Sequence, residues 1–519
     1  MTFPRHGGRE PLMRNEALRA EPLHVTIVGG GFSGASTAIQ LIRASKIPLA
    51  ITLVESQQRA GPGLAYSTQD PDHRLNGPTW GHSIDPLDAG HFTRWCEARE
   101  IFKHDPQALR PDGTAFVRRH DYGDYIEDTL RAHAFWPATG STISILHDRA
   151  VSASQRGDTL TVLTEGGRAL ESKMLIVATG NALPKLQAPL EASLASHPAV
   201  IENPLDTAQL LDIPSRARVL LIGSGLTALD VLSTLQRQGH EGQIVAISRR
   251  GLRPRPQATL LTPATPASGR ENLDRLLAPA PTFLTQSGVA PTLRSWVRAL
   301  RSRIREVERQ GGNWYAAFDE LRDSVWQLWP RLPTAQKRRF LKKMRTWYDV
   351  HRFRAPPQND AIVCAAEAAG RIEFRATRLL SVLPLEGKRT LQIRFKGAGG
   401  ASDREEEFDT IVNCTGLDVA SRLASNPFLL SLVKQQWLKP DDCGVAFAVD
   451  ANCNAVGGDG VTRPTIRLIG PLTAGTFGDP LGAMFIAAQI HRTLPDILNT
   501  LDKAAKAPEA GKSPVLNFA

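Results

Sequence analysis

The sequence lacks the signals of several common functional classes. Its five cysteines form no CxxC or CxxxxC pair, which excludes dithiol redox chemistry and favours a reducing, cytoplasmic setting. The 13 histidines show no HxH or HExxH spacing, so the sequence predicts no metal site. A GxSxG segment is also absent, which argues against a hydrolase with a nucleophilic serine of that type.

Long apolar runs are absent too. No uninterrupted stretch reaches the roughly 18 residues needed to cross a bilayer, and the N-terminal segment has no apolar core of the kind that secretory signals carry. We therefore predict no membrane partner. Residues 1–22 are predicted to be a disordered lead-in, and residues 503–519 a flexible tail.

Positive charge is concentrated in one segment. Residues 293–354 contain 16 Lys and Arg against 6 Asp and Glu, a surplus that equals the net charge of +10 of the whole chain. Apolar residues recur among these arginines with helical spacing, which predicts amphipathic helices. We interpret the basic side as a solvated helical face, with steering of an anionic substrate or cofactor as an alternative. Nucleic acid is not an expected partner.

A glycine-rich turn near the N-terminus predicts a nucleotide site. The β-branched run 25–28 leads into Gly29-x-Gly31-x-x-Gly34 and a helix-forming stretch, and the next strand, residues 50–55, ends in Glu55. In such a βαβ unit the glycines permit a tight turn, the approach of a pyrophosphate and close helix packing. The helix N-terminus attracts the phosphates, and the acid accepts hydrogen bonds from the ribose. This acidic end suits FAD.

The same pattern occurs a second time with a different ending. Strand 218–223 leads into Gly223-x-Gly225-x-x-Ala228, a helix over 229–239 and a second strand over 243–248. Glu55 lies 26 residues after Gly29, and the same step from Gly223 reaches Arg249. Ser248, Arg249 and Arg250 would bind a 2′-phosphate through charge-assisted hydrogen bonds, which suits NADPH. The alternative is that the two arginines are exposed loop cations.

Three more segments follow the same order along the chain. An apolar strand ends in Ala178-Thr179-Gly180, and a later one ends in Cys414-Thr415-Gly416. The closing segment, residues 465–494, combines a strand, a glycine-rich turn with Gly478 and Asp479, and a helix.

This order of segments resembles the two-dinucleotide-binding flavoproteins over residues 24–494. Within them, segments 61–80, 247–254, 347–357 and 469–477 resemble the bacterial FAD/NAD(P)-binding group labelled after FAD-dependent urate hydroxylase. The layout is more distantly similar to the N-hydroxylating monooxygenases that act on ornithine and lysine. The Baeyer–Villiger fingerprint FxGxxxHxxxWP is absent after Gly180, which makes ketone oxygenation less favoured.

The resemblance implies a fold and a set of cofactors. The fold is α/β, with two Rossmann-like dinucleotide-binding domains, one for FAD and one for NADPH, and a helical insertion. The [A/C]TG strands would mark crossings between the two domains, and the closing segment would meet the flavin. The residues expected to bind cofactor are Gly29, Gly31, Ser33, Gly34, Glu55, Thr179, Gly180, Gly223, Gly225, Thr227, Ser248, Arg249, Arg250, Gly416, Gly478 and Asp479.

The implied activity is an FAD- and NADPH-dependent oxidoreductase. We expect a monooxygenase that hydroxylates a small amine or nitrogen-containing substrate with O₂ through a flavin C4a-hydroperoxide. Two alternatives stay open: a flavin reductase or dehydrogenase without oxygen insertion, and a non-catalytic flavin- or nucleotide-sensing module.

The loop 74–86 supplies most of the candidate catalytic residues. It is punctuated by Gly and Pro, and in the resembling proteins this stretch approaches the isoalloxazine ring. Asn76 would contact the ring, and His82 or Asp85 would relay a proton, although His82 could equally be a satisfied structural histidine. In the helix that begins near residue 118, Arg118 is favoured over Arg119 as a residue near flavin or substrate.

The domain boundaries follow from these positions. We expect a discontinuous FAD-binding domain at 23–210 and 410–500. The NADPH-binding domain would occupy 211–409, with a helical insertion at about 270–355. The Pro-rich stretch 252–268 is predicted to be a hinge or an entry loop between them.

Overall fold

The structure is a computed structural model that describes residues 21–190, 192–258, 270–387, 389–397, 402–416, 425–479 and 481–506. The expected lead-in up to residue 20, residues 259–268 of the expected hinge and the expected tail from residue 507 lie outside these ranges. Residues 503–506 are the last turn of a helix.

Most strands of the described residues are short apolar runs, as is usual for strands covered on both faces by helices. They are β1 (Leu23–Val28), β2 (Leu49–Glu55), β3 (Phe135–Trp136), β4 (Ser141–His147), β5 (Ala150–Arg156), β6 (Thr159–Thr164), β7 (Ala169–Ser172), β8 (Met174–Val177), β9 (Val200–Ile201), β10 (Val219–Ile222), β11 (Ile244–Ser248), β12 (Ile372–Ala376), β13 (Leu379–Pro384), β14 (Leu391–Phe395), β15 (Arg404–Phe408), β16 (Thr410–Asn413), β17 (Asn454–Val456) and β18 (Thr462–Leu468).

Helices follow the nucleotide turns, fill the segment between β11 and β12, and close the chain. They are α1 (Phe32–Ala44), α2 (Gly63–Tyr66), α3 (His91–Ala98), α4 (Ile101–His104), α5 (Arg119–Ala132), α6 (Thr207–Leu211), α7 (Leu226–Arg237), α8 (Glu271–Leu277), α9 (Thr282–Thr285), α10 (Leu293–Arg309), α11 (Trp314–Asp323), α12 (Val325–Leu328), α13 (Thr334–Lys343), α14 (Arg345–Arg352), α15 (Pro357–Ala368), α16 (Pro427–Lys434), α17 (Ala474–Phe477) and α18 (Ala483–Lys506), with 3-10 turns that include Thr79–His82, Trp329–Arg331 and Gly470–Thr473.

Two mainly parallel sheets organise the chain. The first has the order β17-β18-β8-β1-β2-β4-β3, and the second has the order β12-β11-β10-β16-β9. Two antiparallel three-stranded sheets, β5-β6-β7 and β13-β14-β15, are separate from them. In the first sheet β1 is flanked by β2 and β8, and in the second β10 is flanked by β11 and β16. The two nucleotide units therefore share one arrangement.

The sheets divide the chain at slightly different points from those expected. We placed residues 200–201 within the first FAD segment and residue 410 at the beginning of the second. In the structure, β9 and β16 both belong to the second sheet, where β16 pairs with β10 and β9 pairs with β16. The strand that ends before Cys414 thus lies beside the second glycine turn, just as β8 lies beside the first.

Ion pairs and hydrogen bonds fix the two sheets relative to each other. Arg119 Nη2 lies 2.8 Å from Asp230 Oδ2 on α7. Arg237, at the end of the same helix, contacts Asp70 at 2.8 Å and Asp72 at 2.6 Å. Because α7 begins at the second glycine turn, these contacts position that turn relative to the loop that follows the first βαβ unit.

The helical insertion, residues 270–355, has an apolar interior and a basic outer face. Trp296, Leu328 and Trp329 belong to its own buried cluster. Among the described residues, no helix is both long and apolar enough to span a membrane. The exposed basic stripe of α10 consists of Arg294, Arg298, Arg301, Arg305 and Arg309.

Candidate active site

The first glycine turn is shaped by close backbone contacts. Gly29 has φ +103°, and a Cβ there would lie 2.6 Å from the Ala178 carbonyl oxygen. At Gly34 a Cβ would lie 1.9 Å from the Gly29 carbonyl oxygen, so α1 can approach the turn only because residue 34 has no side chain. Helix α1 begins after Gly31 without a side-chain cap among the described residues, which leaves N–H groups for an anion.

Glu55 lies at the end of β2, where the sequence places it. Its side chain is buried and accepts hydrogen bonds from the Gly30 amide at 2.7 Å and the Gln57 amide at 2.8 Å. Ser56 Oγ also donates to Oε1, at 3.4 Å, so the acceptor capacity that remains for ribose hydroxyls is on Oε2.

A cavity of about 320 Å³ lies beside this turn. Gly29, Glu55, Thr179 and Gly180 line it. Thr179 Oγ1 is buried and has no hydrogen-bond partner among the described residues. An unsatisfied buried hydroxyl is unfavourable, and in a cavity of this kind it indicates a polar ligand. The residues present therefore fit the adenosine and pyrophosphate part of a dinucleotide.

The second glycine turn repeats this geometry. Gly223 has φ +118°, and its Cβ would lie 2.2 Å from the Cys414 carbonyl oxygen. A Cβ at Gly225 would meet no atom of the described residues within 4 Å, so its open side faces space that a ligand can occupy. Thr227 lies half-buried in the first turn of α7, and Gly416, after the Cys-Thr pair, has φ +87°.

The two arginines after β11 have different surroundings. Arg250 lies 5.5 Å from the centroid of the Trp347 ring and donates a hydrogen bond of 3.3 Å to the Lys343 carbonyl. Arg249 is exposed, and within the described ranges no ion pair or hydrogen bond involves its guanidinium. Ser248 Oγ accepts a hydrogen bond from the Gly251 amide at 2.9 Å, which tightens the loop. Arg249 is thus the more available of the two for a phosphate.

The closing segment joins the first turn to the helical insertion. A Cβ at Gly470 would lie 2.5 Å from Ser33 Oγ, so this segment packs on the N-terminus of α1. Farther along, Asp479 Oδ2 accepts hydrogen bonds from the Tyr348 hydroxyl at 3.0 Å and from Arg352 Nε at 2.8 Å. Gly478, with φ +85°, would bring a Cβ within 2.9 Å of Trp329.

Asp479 and Arg352 retain unused hydrogen-bonding capacity. Both side chains are 8% exposed, and Asp479 Oδ1 and Arg352 Nη2 are buried without partners among the described residues. The sequence predicts Asp479 as a cofactor residue and leaves Arg352 open between a place in the nicotinamide–flavin cleft and an ordinary helix end, whereas it does not predict Tyr348. Their spacing of four residues on α14 puts both on one helix face, which is the signal that could have indicated them.

His82 is one of two buried candidate catalytic residues, and the other is Asp85. It packs edge-on against Tyr122, with ring centroids 5.3 Å apart, and its Nδ1 lies 3.0 Å from the Pro78 carbonyl oxygen. Burial lowers the pKa of His82 to about 4, and the charge of Arg352 acts in the same direction. His82 is therefore neutral near pH 7, and Nδ1–H donates to the Pro78 carbonyl.

The other three candidates differ in their availability. Asp85 accepts a hydrogen bond from Arg43 Nη1 at 2.7 Å and another from the Leu87 amide at 2.9 Å. Arg118 Nε lies 3.5 Å from Asp105, which is already paired with Arg74, and it is buried without a hydrogen bond among the described residues. Asn76 is half-buried, and its main-chain carbonyl accepts a hydrogen bond from Gln257 Nε2 at 2.5 Å. Asp85 and Arg118 thus have structural partners.

The environment of His82 predicts acid sensitivity. The unfolded chain protonates this histidine below its ordinary pKa of 6.5, whereas the folded chain does so only near pH 4, so stability falls as the pH decreases through this window. The variant His82→Asn keeps a donor near the Nδ1 position but cannot take up this proton. Between about pH 7 and about pH 4 its free energy of unfolding should therefore fall by about 3 kcal/mol less than that of wild type. Urea unfolding at several pH values measures this difference. The exposed variant His104→Asn should show the same pH dependence of unfolding free energy as wild type. If His82→Asn also showed the wild-type pH dependence, the assignment would be contradicted.

A larger cavity, of about 990 Å³, lies between the closing segment and the helical insertion. Asn181, directly after the Ala-Thr-Gly strand, lines both this cavity and the smaller one, so the two meet at that residue. Gly478 and Asp479 form part of its wall. Within the described ranges, no three His, Cys, Asp or Glu side chains are grouped closely enough to hold a metal ion.

These features define an α/β protein with two dinucleotide-binding units and a helical insertion. Residues 26–182 match a protein-family model described as FAD-NAD(P)-binding. A comparison with curated proteins found no match.

Solved structures extend this likeness to nearly the whole chain. An ornithine N-hydroxylase from Kutzneria sp. 744, in a complex with FADred, NADP+ and L-orn, is 15% identical at a TM-score of 0.60, covering 93% of this chain and 100% of that one. The reduced ornithine hydroxylase from Pseudomonas aeruginosa is 13% identical at 0.58, covering 92% and 100%. An FAD-bound cadaverine monooxygenase from Erwinia amylovora is 12% identical at 0.55, covering 95% and 98%. At these identities the likeness concerns the fold, and the predicted fold class is confirmed.

Proposed function

We propose that the protein is an FAD-dependent, NADPH-using monooxygenase that hydroxylates the nitrogen of an amine. The observation that carries this proposal is the repeated turn, in which Gly29 packs on Ala178 and Gly223 packs on Cys414, together with a cavity that adjoins the first unit. The three similar structures act on, or are complexed with, amines according to their names. The resemblance to the group labelled after urate hydroxylase adds no substrate to this proposal, and a reducing, cytoplasmic setting is part of it.

The overall reaction balances without a further reductant. An amine R–NH₂, O₂, NADPH and H⁺ give R–NH–OH, NADP⁺ and water. Bound FAD would supply two-electron reduction by NADPH and the activation of O₂.

The chain's own residues position the dinucleotides. The first turn and Glu55 would hold the adenosine diphosphate part of FAD, with Thr179 Oγ1 as a polar contact in the smaller cavity. Gly225 and the N-terminus of α7 would receive the NADPH pyrophosphate, and Arg249 its 2′-phosphate.

The helical insertion would exclude water from the reacting atoms. Trp329 donates a hydrogen bond of 2.9 Å to the Gly475 carbonyl, and Arg352 is paired with Asp479, so the insertion is fastened to the closing segment at two points. A site from which water is excluded protects reactive species from side reactions.

Anaerobic reduction followed by mixing with oxygen tests the proposal. The purified protein should be yellow, NADPH should bleach it, and oxygen should then produce a transient absorption band before the oxidised spectrum returns. Immediate return of the oxidised spectrum, in the presence of amines that bind, would instead indicate a reductase. A protein that stays colourless after reconstitution with FAD would contradict the proposal.

A further inference from the structure

The interior of the helical insertion is hollow. The cavity of about 990 Å³ begins at the closing segment and continues to Val297, Leu300 and Ile304 on α10. Helix α10 packs on α9 and α11, whereas the closing segment packs on α12 and the Trp329–Arg331 turn. The cavity therefore crosses the insertion from the proposed flavin side, where Gly478 and Asp479 line it, to the outer helix α10.

Apolar rings dominate the wall of this cavity. Nine of its lining side chains are Trp, Tyr or Phe, including Trp296, Trp314 and Phe318, and eleven more are Leu, Ile or Val. Burying a carboxylate or an ammonium against such a wall without a partner is energetically unfavourable, whereas burying an apolar ring there is favourable. The wall thus disfavours a zwitterion and favours a ligand that is mainly hydrocarbon.

Four cationic and two acidic side chains line the cavity. Arg255, Arg301 and Lys343 are exposed, and Arg345 is half-buried beside Asp349. Lys343 adjoins Arg250 in the proposed NADPH site, so we assign Lys343 to the dinucleotide phosphates. Asp479 is buried, with 8% of its side chain exposed, whereas 36% of the Asp349 side chain is exposed.

Asp349 is the carboxylate with the weaker protein partner. Asp479 accepts hydrogen bonds from Tyr348 and Arg352, while the closest cation to Asp349 is Arg345 at 3.4 Å. Burial, together with the charge of Asp479, raises the pKa of Asp349 to about 6 against the opposing effect of Arg345. A positively charged group in the cavity would relieve this repulsion between the two carboxylates.

We propose that the substrate is a largely apolar, ring-containing amine whose hydrocarbon part fills the cavity inside the insertion and whose ammonium group lies toward Asp349. This assignment rests on the proposed function for the reaction at nitrogen, while the shape and chemistry of the wall select the rest of the molecule.

Calorimetric titration of the FAD-loaded protein at about pH 8, where Asp349 is ionised, tests the proposal. The ligands are 4-phenylbutylamine, the neutral isostere 4-phenyl-1-butanol, and L-ornithine. We expect 4-phenylbutylamine to bind at least about tenfold more tightly than either of the other two. Equal or tighter binding of L-ornithine would overturn the assignment.

Two variants separate the apolar and charged contributions. Val297→Trp should weaken the binding of both phenyl ligands by about tenfold, because the larger side chain fills part of the cavity. Ser302→Trp, on the exposed side of the same helix, should leave their binding unchanged. Asp349→Asn should weaken the binding of 4-phenylbutylamine by about tenfold and leave the binding of 4-phenyl-1-butanol unchanged. Unchanged binding in Val297→Trp, or equal losses for both ligands in Asp349→Asn, would contradict the proposal.

Failure of the proposed function would look different. Binding by calorimetry needs no redox step, so an amine that binds as described but is not hydroxylated during NADPH oxidation would leave the assignment of the cavity intact and contradict the monooxygenase. Hydroxylation of L-ornithine with no binding of 4-phenylbutylamine would support the monooxygenase and contradict the assignment of the cavity.

Discussion

Replacing Gly34 with alanine is expected to give a protein that binds no FAD and is less stable by roughly 3 kcal/mol or more, because overpacking forces backbone to move. The added Cβ would lie 1.9 Å from the Gly29 carbonyl oxygen, which belongs to the backbone of the turn and cannot rotate away. Helix α1 would have to move off β1, and its N-terminus would move with it. Flavin absorbance per mole of purified protein and urea unfolding measure the two effects.

The matched control is Gly225→Ala in the second turn. Its Cβ would meet no atom of the described residues within 4 Å, so the variant should fold and keep its flavin. The same methyl group would occupy space that the NADPH pyrophosphate needs, and KM for NADPH should rise by about tenfold or more. If Gly34→Ala retained both its flavin and its stability, the role assigned to this turn would be wrong.

The repeated units could be predicted from the sequence because their requirements are local. A glycine at the turn and another in the helix follow from backbone geometry at fixed spacing, and the structure shows the close contacts that require them at Gly29 and Gly34. The approach of a phosphate to Gly31 stays a prediction. The pairing of β16 with β10 was less evident, because strand order within a sheet depends on contacts far apart in sequence.

The partners of the candidate catalytic residues could not be read from local patterns. Asp85 is paired with Arg43, 42 positions earlier, and Arg118 lies near Asp105, so only the folded chain reveals that these charges are engaged. The sequence also gives no sign that the pKa of His82 responds to the charge of Arg352, which lies in the helical insertion.

The cavity inside the insertion could not be predicted from the sequence, for a different physical reason. Helical periodicity predicts that Trp296, Leu300 and Ile304 face inward, but it does not indicate whether the opposing helices fill the space between them. Packing density is a property of several helices together, and here it leaves room for a ligand.

The last prediction concerns the choice between NADPH and NADH. Replacing both Arg249 and Arg250 with alanine should reduce the preference for NADPH, measured as the ratio of kcat/KM values, by about 100-fold, because each charge-assisted hydrogen bond to the 2′-phosphate contributes about 1.5 kcal/mol or more. The activity with NADH should change little, since NADH has no phosphate at that position.

Single variants should divide this effect unequally. Arg249 has no ion-pair partner among the described residues, so Arg249→Ala should account for about tenfold or more of the loss, and Arg249→Lys, which keeps the charge but not the bidentate geometry, should lie between it and wild type. Arg250 is held by Trp347 and the Lys343 carbonyl, so Arg250→Ala should have a smaller effect. The exposed variant Arg298→Ala controls for a general loss of positive charge. An unchanged NADPH preference in the double variant would show that the two arginines are loop cations, and that the second turn does not select its dinucleotide through them.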